Sequence, residues 1–406
     1  MSISDEFLDA FEDEDMLKLK KKEITPIIKS VKEFFIKNDI VLYGGTAMNM
    51  YLPKRLQFYS TYDIPDYDGF HENARSKSVD LIDMLKKEKY DFLIAKHAIH
   101  DGTYKVSWVF KDIADITNVN QYDYKHILNT RFTHKKSGLS IVNINLLKSN
   151  SYVELAMPKS SSFRWSKVYK RLMLLEQSHK VTSKLNILKM FDNKIPAEIQ
   201  EIADTVYEYI NENRLPLVGL DAVKYFIDSS NKNKINELYH TSFTMIEILS
   251  DSIYETMKQI KTILSRMKMY DEFGKHVHVE YDELHDNKSQ LIPNTVEYII
   301  HMPGRKCKFL KIYDVSTKCI SVTRDASKKN SFVYGSIFFI LYIYYYMLFI
   351  NDNKRVKRVY NGLIETLLPT INQSNFTTEC YGFSKSISVI KKSRVLKNFK
   401  NIVAKS

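Results

Sequence analysis

The apolar run Ile40, Val41, Leu42 and Tyr43 stops abruptly at Gly44-Gly45, and this break constrains the fold more than any other stretch of the chain. A short buried strand that ends on two glycines must turn sharply, and glycine permits both the turn and a close approach of backbone to a ligand. Thr46 to Leu52 then reads as a brief helix stopped by Pro53. Upstream, Ile27, Ile28, Val31, Phe34 and Phe35 follow helical spacing, with Thr25 as N-cap and Pro26 at the first helical position. The order is helix, strand, glycine turn, helix. The helix start offers backbone N–H groups and a favourable dipole to a phosphate, and Thr46 can add a hydroxyl. An ordinary strand-to-helix turn uses the same residues, so the turn alone does not decide between structure and binding.

A second motif follows. Ile64 to Asp68 reads as a short strand in which Asp66 and Asp68 flank Tyr67, so alternation puts both carboxylates on one face, about 7 Å apart at Cα. Phosphoryl transfer to a hydroxyl uses divalent ions about 3.5 to 4 Å apart, and oxygen-rich ligands of this kind suit Mg²⁺ or Mn²⁺. A solvated turn over Pro65 to Gly69 would use the same residue types for local hydrogen bonds. Beyond it the pattern predicts a helix over Ser76 to Lys89, then a hairpin of Tyr90 to Ile99 and Tyr104 to Thr117 turned by Asp101-Gly102. A strand is expected at Leu139 to Leu147. After Pro158 long helical patterns take over, including Arg164 to Glu176 and Ser242 to Met269, and short strands return at His276 to Tyr281 and Lys308 to Ile312. The fold class is α+β: an acidic tail and helical arm at 1–39, a catalytic-type α+β portion at 40–158, a helical portion at 159–270 and a smaller α+β portion at 271–406. No repeat occurs at the usual solenoid periods.

Sixty Lys and Arg against forty-eight Asp and Glu give a net charge of +12, and seven of the acids lie between Asp5 and Asp15, so the remainder is more basic still. That balance favours a polyanionic partner through counterion release. Cys307, Cys319 and Cys380 show no short paired spacing, and Met1 to Asp15 has no basic-then-apolar leader, which together point to a reducing, cytoplasmic setting. Ser331 to Ile350 carries no formal charge and is long enough to span a bilayer. Its cluster of Tyr342, Tyr344, Tyr345 and Tyr346 needs hydroxyl partners that lipid lacks, so a buried helix is expected and no membrane contact. His276, His278, Glu280 and His285 have metal-like spacing but read as structural or surface groups.

Strand, Gly-Gly-Thr, helix and Asp-x-Asp together resemble the DNA polymerase β-like nucleotidyltransferases. The later Tyr152 to Pro158 and Arg164 to Arg171 narrow the resemblance to the poly(A) polymerase catalytic subunits of poxviruses and other large DNA viruses. The resemblance implies a small mixed sheet backed by helices. It implies that Asp66, Asp68 and Asp115 bind two metal ions, Mg²⁺ or Mn²⁺, with Asp115 orienting or deprotonating a primer 3′-hydroxyl. It implies that Gly44, Gly45 and Thr46 hold the triphosphate of ATP. Arg164, Lys167 and Arg171 form one basic helix face for triphosphate or RNA, and Lys167 is assigned to the nucleotide. The expected partners are an RNA 3′ end and ATP, with a homodimer or a separate processivity subunit left open. Adenylyl transfer to mRNA is the expected activity; transfer to tRNA or a small molecule, and RNA binding without turnover, remain as rivals. Along an unbroken strand from Val106 to Thr117, Asp112 falls with Trp108, Phe110, Ala114 and Ile116 on the core side, and Asp115 falls with Ser107, Lys111 and Thr117 on the open side.

Overall fold

The computed structural model describes residues 14–59, 63–64, 66–98, 102–109, 111–183, 195–230, 245–270, 275–324, 331–372 and 375–382. The chain divides into two units, Met1–Leu147 and Lys148–Ser406.

The first unit opens on α1 (Glu14–Lys37), which starts well before the expected Thr25 cap and carries Pro26 inside it. Proline costs one backbone bond there, but the apolar face of Ile24, Ile27, Ile28, Val31, Phe34 and Phe35 is buried and keeps the helix continuous. Next come β1 (Val41–Tyr43), α2 (Gly44–Tyr51), β2 (Tyr67–His71), α3 (Ala74–Lys87), β3 (Leu93–His97), β4 (Thr103–Trp108), β5 (Lys111–Asn118), α4 (Gln121–Thr130), β6 (Phe132–Thr133) and β7 (Ser140–Ile141). They build one seven-stranded sheet in the order β3-β4-β5-β2-β1-β7-β6. The expected second hairpin arm is two strands, because the chain turns at Val109, whose φ is +45°. Gly102 (φ +72°) makes the turn between β3 and β4, while Asp101 lies outside the described residues. Leu139 to Leu147 is not a strand: pairing stops at Ile141, and a helix, α5 (Ile144–Ala156), begins three residues later.

The second unit continues with α6 (Trp165–Ser178), α7 (Gln200–Glu212), α8 (Gly219–Ser230), β8 (Ile246–Ser250), α9 (Ile253–Arg266), β9 (Lys268–Tyr270), β10 (His276–His278), β11 (Tyr281–Asp286), β12 (Thr295–Met302), β13 (Arg305–Asp314), β14 (Ile320–Arg324), β15 (Val333–Gly335), α10 (Ile337–Ile350), α11 (Lys354–Leu367) and β16 (Cys380–Tyr381). The stretch read as one helix, Ser242 to Met269, is β8, α9 and the start of β9, with residues 242–244 outside the described set. β8 pairs in parallel with β13, so the division expected at residue 270 cuts through a shared sheet.

The first unit's strand order recurs here. β11, β12 and β13 are antiparallel neighbours, β13 is parallel to β8, and Leu217 bridges antiparallel to Ile248 and parallel to Tyr334 of β15. That is the arrangement of β3, β4, β5, β2, β1 and β7, where Leu42 is likewise parallel to Ile141.

α10 is apolar on every side and buried, with Ser336 as N-cap. Its tyrosines find partners, as the buried-helix reading requires. Tyr345 donates to Glu176 at 2.8 Å, Tyr342 donates to the Leu291 carbonyl, and Glu176 also holds the buried Lys148 at 2.7 Å. Among the described residues no helix is long and apolar enough to cross a membrane. The pairing of β14 with β16 places Cys319 and Cys380 in disulfide contact, Cα atoms 5.4 Å apart across 61 residues of sequence. Cysteine spacing therefore no longer argues for a reducing compartment.

Candidate active site

Gly44 opens α2 with φ of +70°, a backbone conformation that strains any residue with a Cβ. Space is a second reason for glycine: a Cβ at Gly44 would lie 2.2 Å from Asp68 Oδ2. Gly45 follows, half-buried. Thr46 is buried and its hydroxyl donates to the Asp66 carbonyl at 2.8 Å, tying the start of α2 to the residue before β2. The Thr46 hydroxyl is thus engaged with backbone, where it positions the residue ahead of β2.

The expected strand at Ile64 to Asp68 begins later, at Tyr67. Asp66 is therefore exposed just ahead of β2, and Asp68 is inside it. In register, Asp68 lies opposite Tyr43 on one side and opposite Asp115 on the other. Hydrogen-bonded strands run about 4.8 Å apart, so β2 and β5 present two carboxylates side by side on one face. Asp115 is pushed above the usual carboxylate range, first by burial, with Lys105 pulling it back and Asp112 and Asp66 adding to the rise. Its Oδ1 is buried without a hydrogen-bond partner among the described residues. An orphaned buried acceptor costs about 1–3 kcal/mol, and a bound cation beside that oxygen would remove the cost. The donor set is all carboxylate oxygen, the set that suits a hard divalent ion. Among the described residues, no group of three or more His, Cys, Asp or Glu side chains is already gathered as a ligand set. The fold brings Asp68 and Asp115 together and leaves Asp66 at the rim.

Asp112 does not point to the core as the alternation predicts. The register steps from Val106–Ala114 to Ser107–Asp112, leaving Ile113 as a bulge, and the extra residue flips Asp112 onto the face of Asp115. There it accepts from Ser107 at 2.7 Å and from Lys105 at 2.7 Å. Burial opposes its ionisation, but those hydrogen bonds prevail and hold its carboxyl below the usual range. Tyr43 stacks on Phe70 with ring centroids 4.0 Å apart, and its hydroxyl meets Thr117 at 2.7 Å. The side of the face next to Asp68 is thereby fixed. Residues 29–161 match the family model of the poly(A) polymerase catalytic subunit.

That match contains Gly44, Asp66, Asp68 and Asp115 and bears out the resemblance read from the sequence. A mimivirus protein named "Putative poly(A) polymerase catalytic subunit" (Acanthamoeba polyphaga mimivirus) is 23% identical over 225 residues, covering 52% of this chain and 37% of the relative. A protein of the same name from African swine fever virus (strain Badajoz 1971 Vero-adapted) is 28% identical over 137 residues, 34% of this chain and 28% of the relative. The matched part thus spans about a third of the length of these relatives. The crystal structure of the Megavirus polyadenylate synthase superposes with a TM-score of 0.64 at 20% identity, covering 95% of this chain and 73% of that one. The fold is that of the polymerase β-like nucleotidyltransferases.

Lys167 lies outside the poly(A) polymerase match, exposed on α6 of the second unit. On the same basic face Arg164 leans on Glu154 at 3.6 Å, and Trp165 is core, its indole N–H donating to the Glu154 carbonyl. In the segment between Gly45 and Asp66, Lys54 and Arg55 are exposed, and Asn49 fixes the backbone of Phe58 at 2.9 Å. Tyr62 is outside the described residues. The site residues that sequence reasoning missed are Lys105 and Tyr43. Lys105 faces Asp115 only because of the bulge at Ile113; counting outward from a turn at Val109 in a regular ladder would have paired Asp115 with Tyr104 instead.

Proposed function

We propose that this chain is a polynucleotide adenylyltransferase, adding AMP from ATP to mRNA 3′ ends. The observation that carries the reading is the in-register pair Asp68 and Asp115, set against a glycine-opened helix start, with a buried carboxylate oxygen that no group among the described residues satisfies. The family match over residues 29–161 supports poly(A) synthesis over other acceptors.

Asp66, Asp68 and Asp115 would hold Mg²⁺ or Mn²⁺, which supplies a lowered pKa at the attacking 3′-hydroxyl and charge stabilisation of the departing pyrophosphate. The chain's own part is positioning. Gly44 and Gly45 let the phosphates approach the first turn of α2, where unpaired N–H groups face a polyanion. Thr46, by holding the Asp66 carbonyl, sets where Asp66 leaves β2. Asp115 orients the primer hydroxyl and takes its proton when the hydroxyl attacks the α-phosphorus. The partners are an RNA 3′ end and ATP, the place of action is the cytoplasm, and processivity comes from a homodimer or a separate subunit.

Incubating the protein with a short RNA, Mg²⁺ or Mn²⁺ and each nucleoside triphosphate in turn tests this directly. Metal-dependent extension with ATP foremost is expected. Transfer only to tRNA or to a small acceptor would move the reading to another nucleotidyltransferase. Tight RNA binding with no incorporation at all would replace it with a non-catalytic role.

A further inference from the structure

Three side chains beside Asp115 have no part in the reaction as derived. Lys105 is the register partner of Asp115 across β4 and β5. Its Nζ stands 2.7 Å from Asp112 Oδ2 but 3.4 Å from Asp115 Oδ2. Charge-assisted N–H···O bonds are about 2.7–2.9 Å long. The ammonium is therefore bonded most closely to Asp112 and makes a longer ion pair with Asp115. Asp112 is itself pinned, its other oxygen accepting from Ser107 at 2.7 Å. None of this would exist in a regular ladder, because Asp112 reaches this face only through the bulge at Ile113.

A lysine this close to a carboxylate has two positions open to it. Closed on Asp115, it would compete for the oxygens a divalent cation needs. Held by Asp112, it still lends its charge to Asp115 while the buried Asp115 Oδ1 keeps no hydrogen-bond partner among the described residues. We propose that Ser107, Asp112 and Lys105 are positioning residues that hold the ammonium back from Asp115, so that Asp115 remains open to a divalent cation. The proposal rests on the nucleotidyl-transfer reading of the site, and its test is chosen to fail separately from that reading.

The measurement is Mn²⁺ binding to the full chain, followed by electron paramagnetic resonance without ATP or RNA, with extension of a short RNA assayed in parallel. Asp112→Asn should weaken Mn²⁺ binding about tenfold, the scale typical of outer-sphere partners of metal ligands, because the freed lysine closes on Asp115. Adding Lys105→Met should bring affinity back to within about threefold of wild type, a coupling that a double-mutant cycle reads directly. Ser107→Ala should shift binding in the same direction as Asp112→Asn, by less. If Asp112 only stabilised the hairpin, the double variant would bind Mn²⁺ no better than the single one and would melt lower, and the proposal would be overturned. Wild-type Mn²⁺ affinity in Asp112→Asn, with the wild-type protein both binding Mn²⁺ and extending RNA, would sink it alone. Absence of both Mn²⁺ binding and extension in the wild type would instead remove the site reading beneath it.

Discussion

In both units a positive-φ glycine opens a helix against a carboxylate from the neighbouring strand, but what stands beyond that carboxylate differs. In the first, Gly44 meets Asp68, the next strand carries Asp115, and the one after it carries Lys105. In the second, Gly219 (φ +60°) meets Glu247, a Cβ there falling 2.1 Å from Glu247 Oε1. The strands beyond carry Lys311 and then Glu297. The row acid, acid, base has become acid, base, acid, and Met245 stands where Asp66 would be. Glu247 is also occupied and covered: Tyr313 donates to it at 2.8 Å, and Phe339, Ile340, Ile343 and Tyr344 of α10 line the space around it. Strand order and the close approach of glycine to carboxylate recur in both units and are therefore requirements of the fold. Two adjacent carboxylates on an open face are a requirement of the chemistry.

The largest effect that could break this comparison comes from neutralising the paired carboxylates. Asp68→Asn should cut single-turnover RNA extension by about a thousandfold or more, since stabilisation by a metal ion is worth several kcal/mol, with little change in melting temperature. Glu247→Gln should leave extension at the wild-type rate. Equal losses in both would mean that the second unit shares in the chemistry. Glu247→Gln should also show in stability. Burial raises the Glu247 carboxyl above its usual range, although Lys311 and Tyr313 pull it down. An acid whose folded pKa is raised favours the fold at low pH and loses that contribution as pH climbs through the folded value. Relative to wild type, the glutamine variant should therefore gain melting temperature as pH rises from the usual carboxylate range upward.

The glycines give the next effect. Gly44→Ala and Gly219→Ala each force a Cβ into the left-handed region, at roughly 1–2 kcal/mol, and each pushes a carboxylate aside. Thermal melts should show similar destabilisation in the two. Extension should collapse only in Gly44→Ala, because only there is the displaced carboxylate one of the proposed metal ligands. Unimpaired extension by a folded Gly44→Ala protein would show that Asp68 need not sit where it does.

The same contrasts separate what is legible in the amino-acid sequence from what is not. The strand ending at Gly44-Gly45 and the spacing of Asp66 and Asp68 are local, and glycine's freedom and two-residue alternation carry them. The bulge at Ile113 is not local: one extra residue reverses a face, so simple alternation sends Asp112 to the core although it sits beside Asp115. Ile141, Val142, Ile144, Leu146 and Leu147 fit a strand or a helix face equally well over so short a run, and the structure ends the strand at Ile141. The second unit's copy of the strand order left no trace in the sequence. The residues that would announce it, the acid pair, are the ones it replaced with Glu247 and Lys311.

Lys167 sharpens the comparison at its finest grain, because it is the one residue of the second unit assigned to the nucleotide. It sits exposed on α6, on the face away from the buried Val168, Leu172 and Leu175, so its replacement removes a charge without opening the core. Lys167→Ala should raise KM for ATP about fivefold with kcat and melting temperature unchanged, while Lys170→Ala, also exposed, serves as the control for charge alone. If Lys167 instead contacts RNA backbone, KM for ATP stays put, primer affinity falls for all sequences alike, and the slope of log affinity against log salt decreases by about one. If neither quantity moves, Lys167 contributes nothing to substrate binding through this helix face.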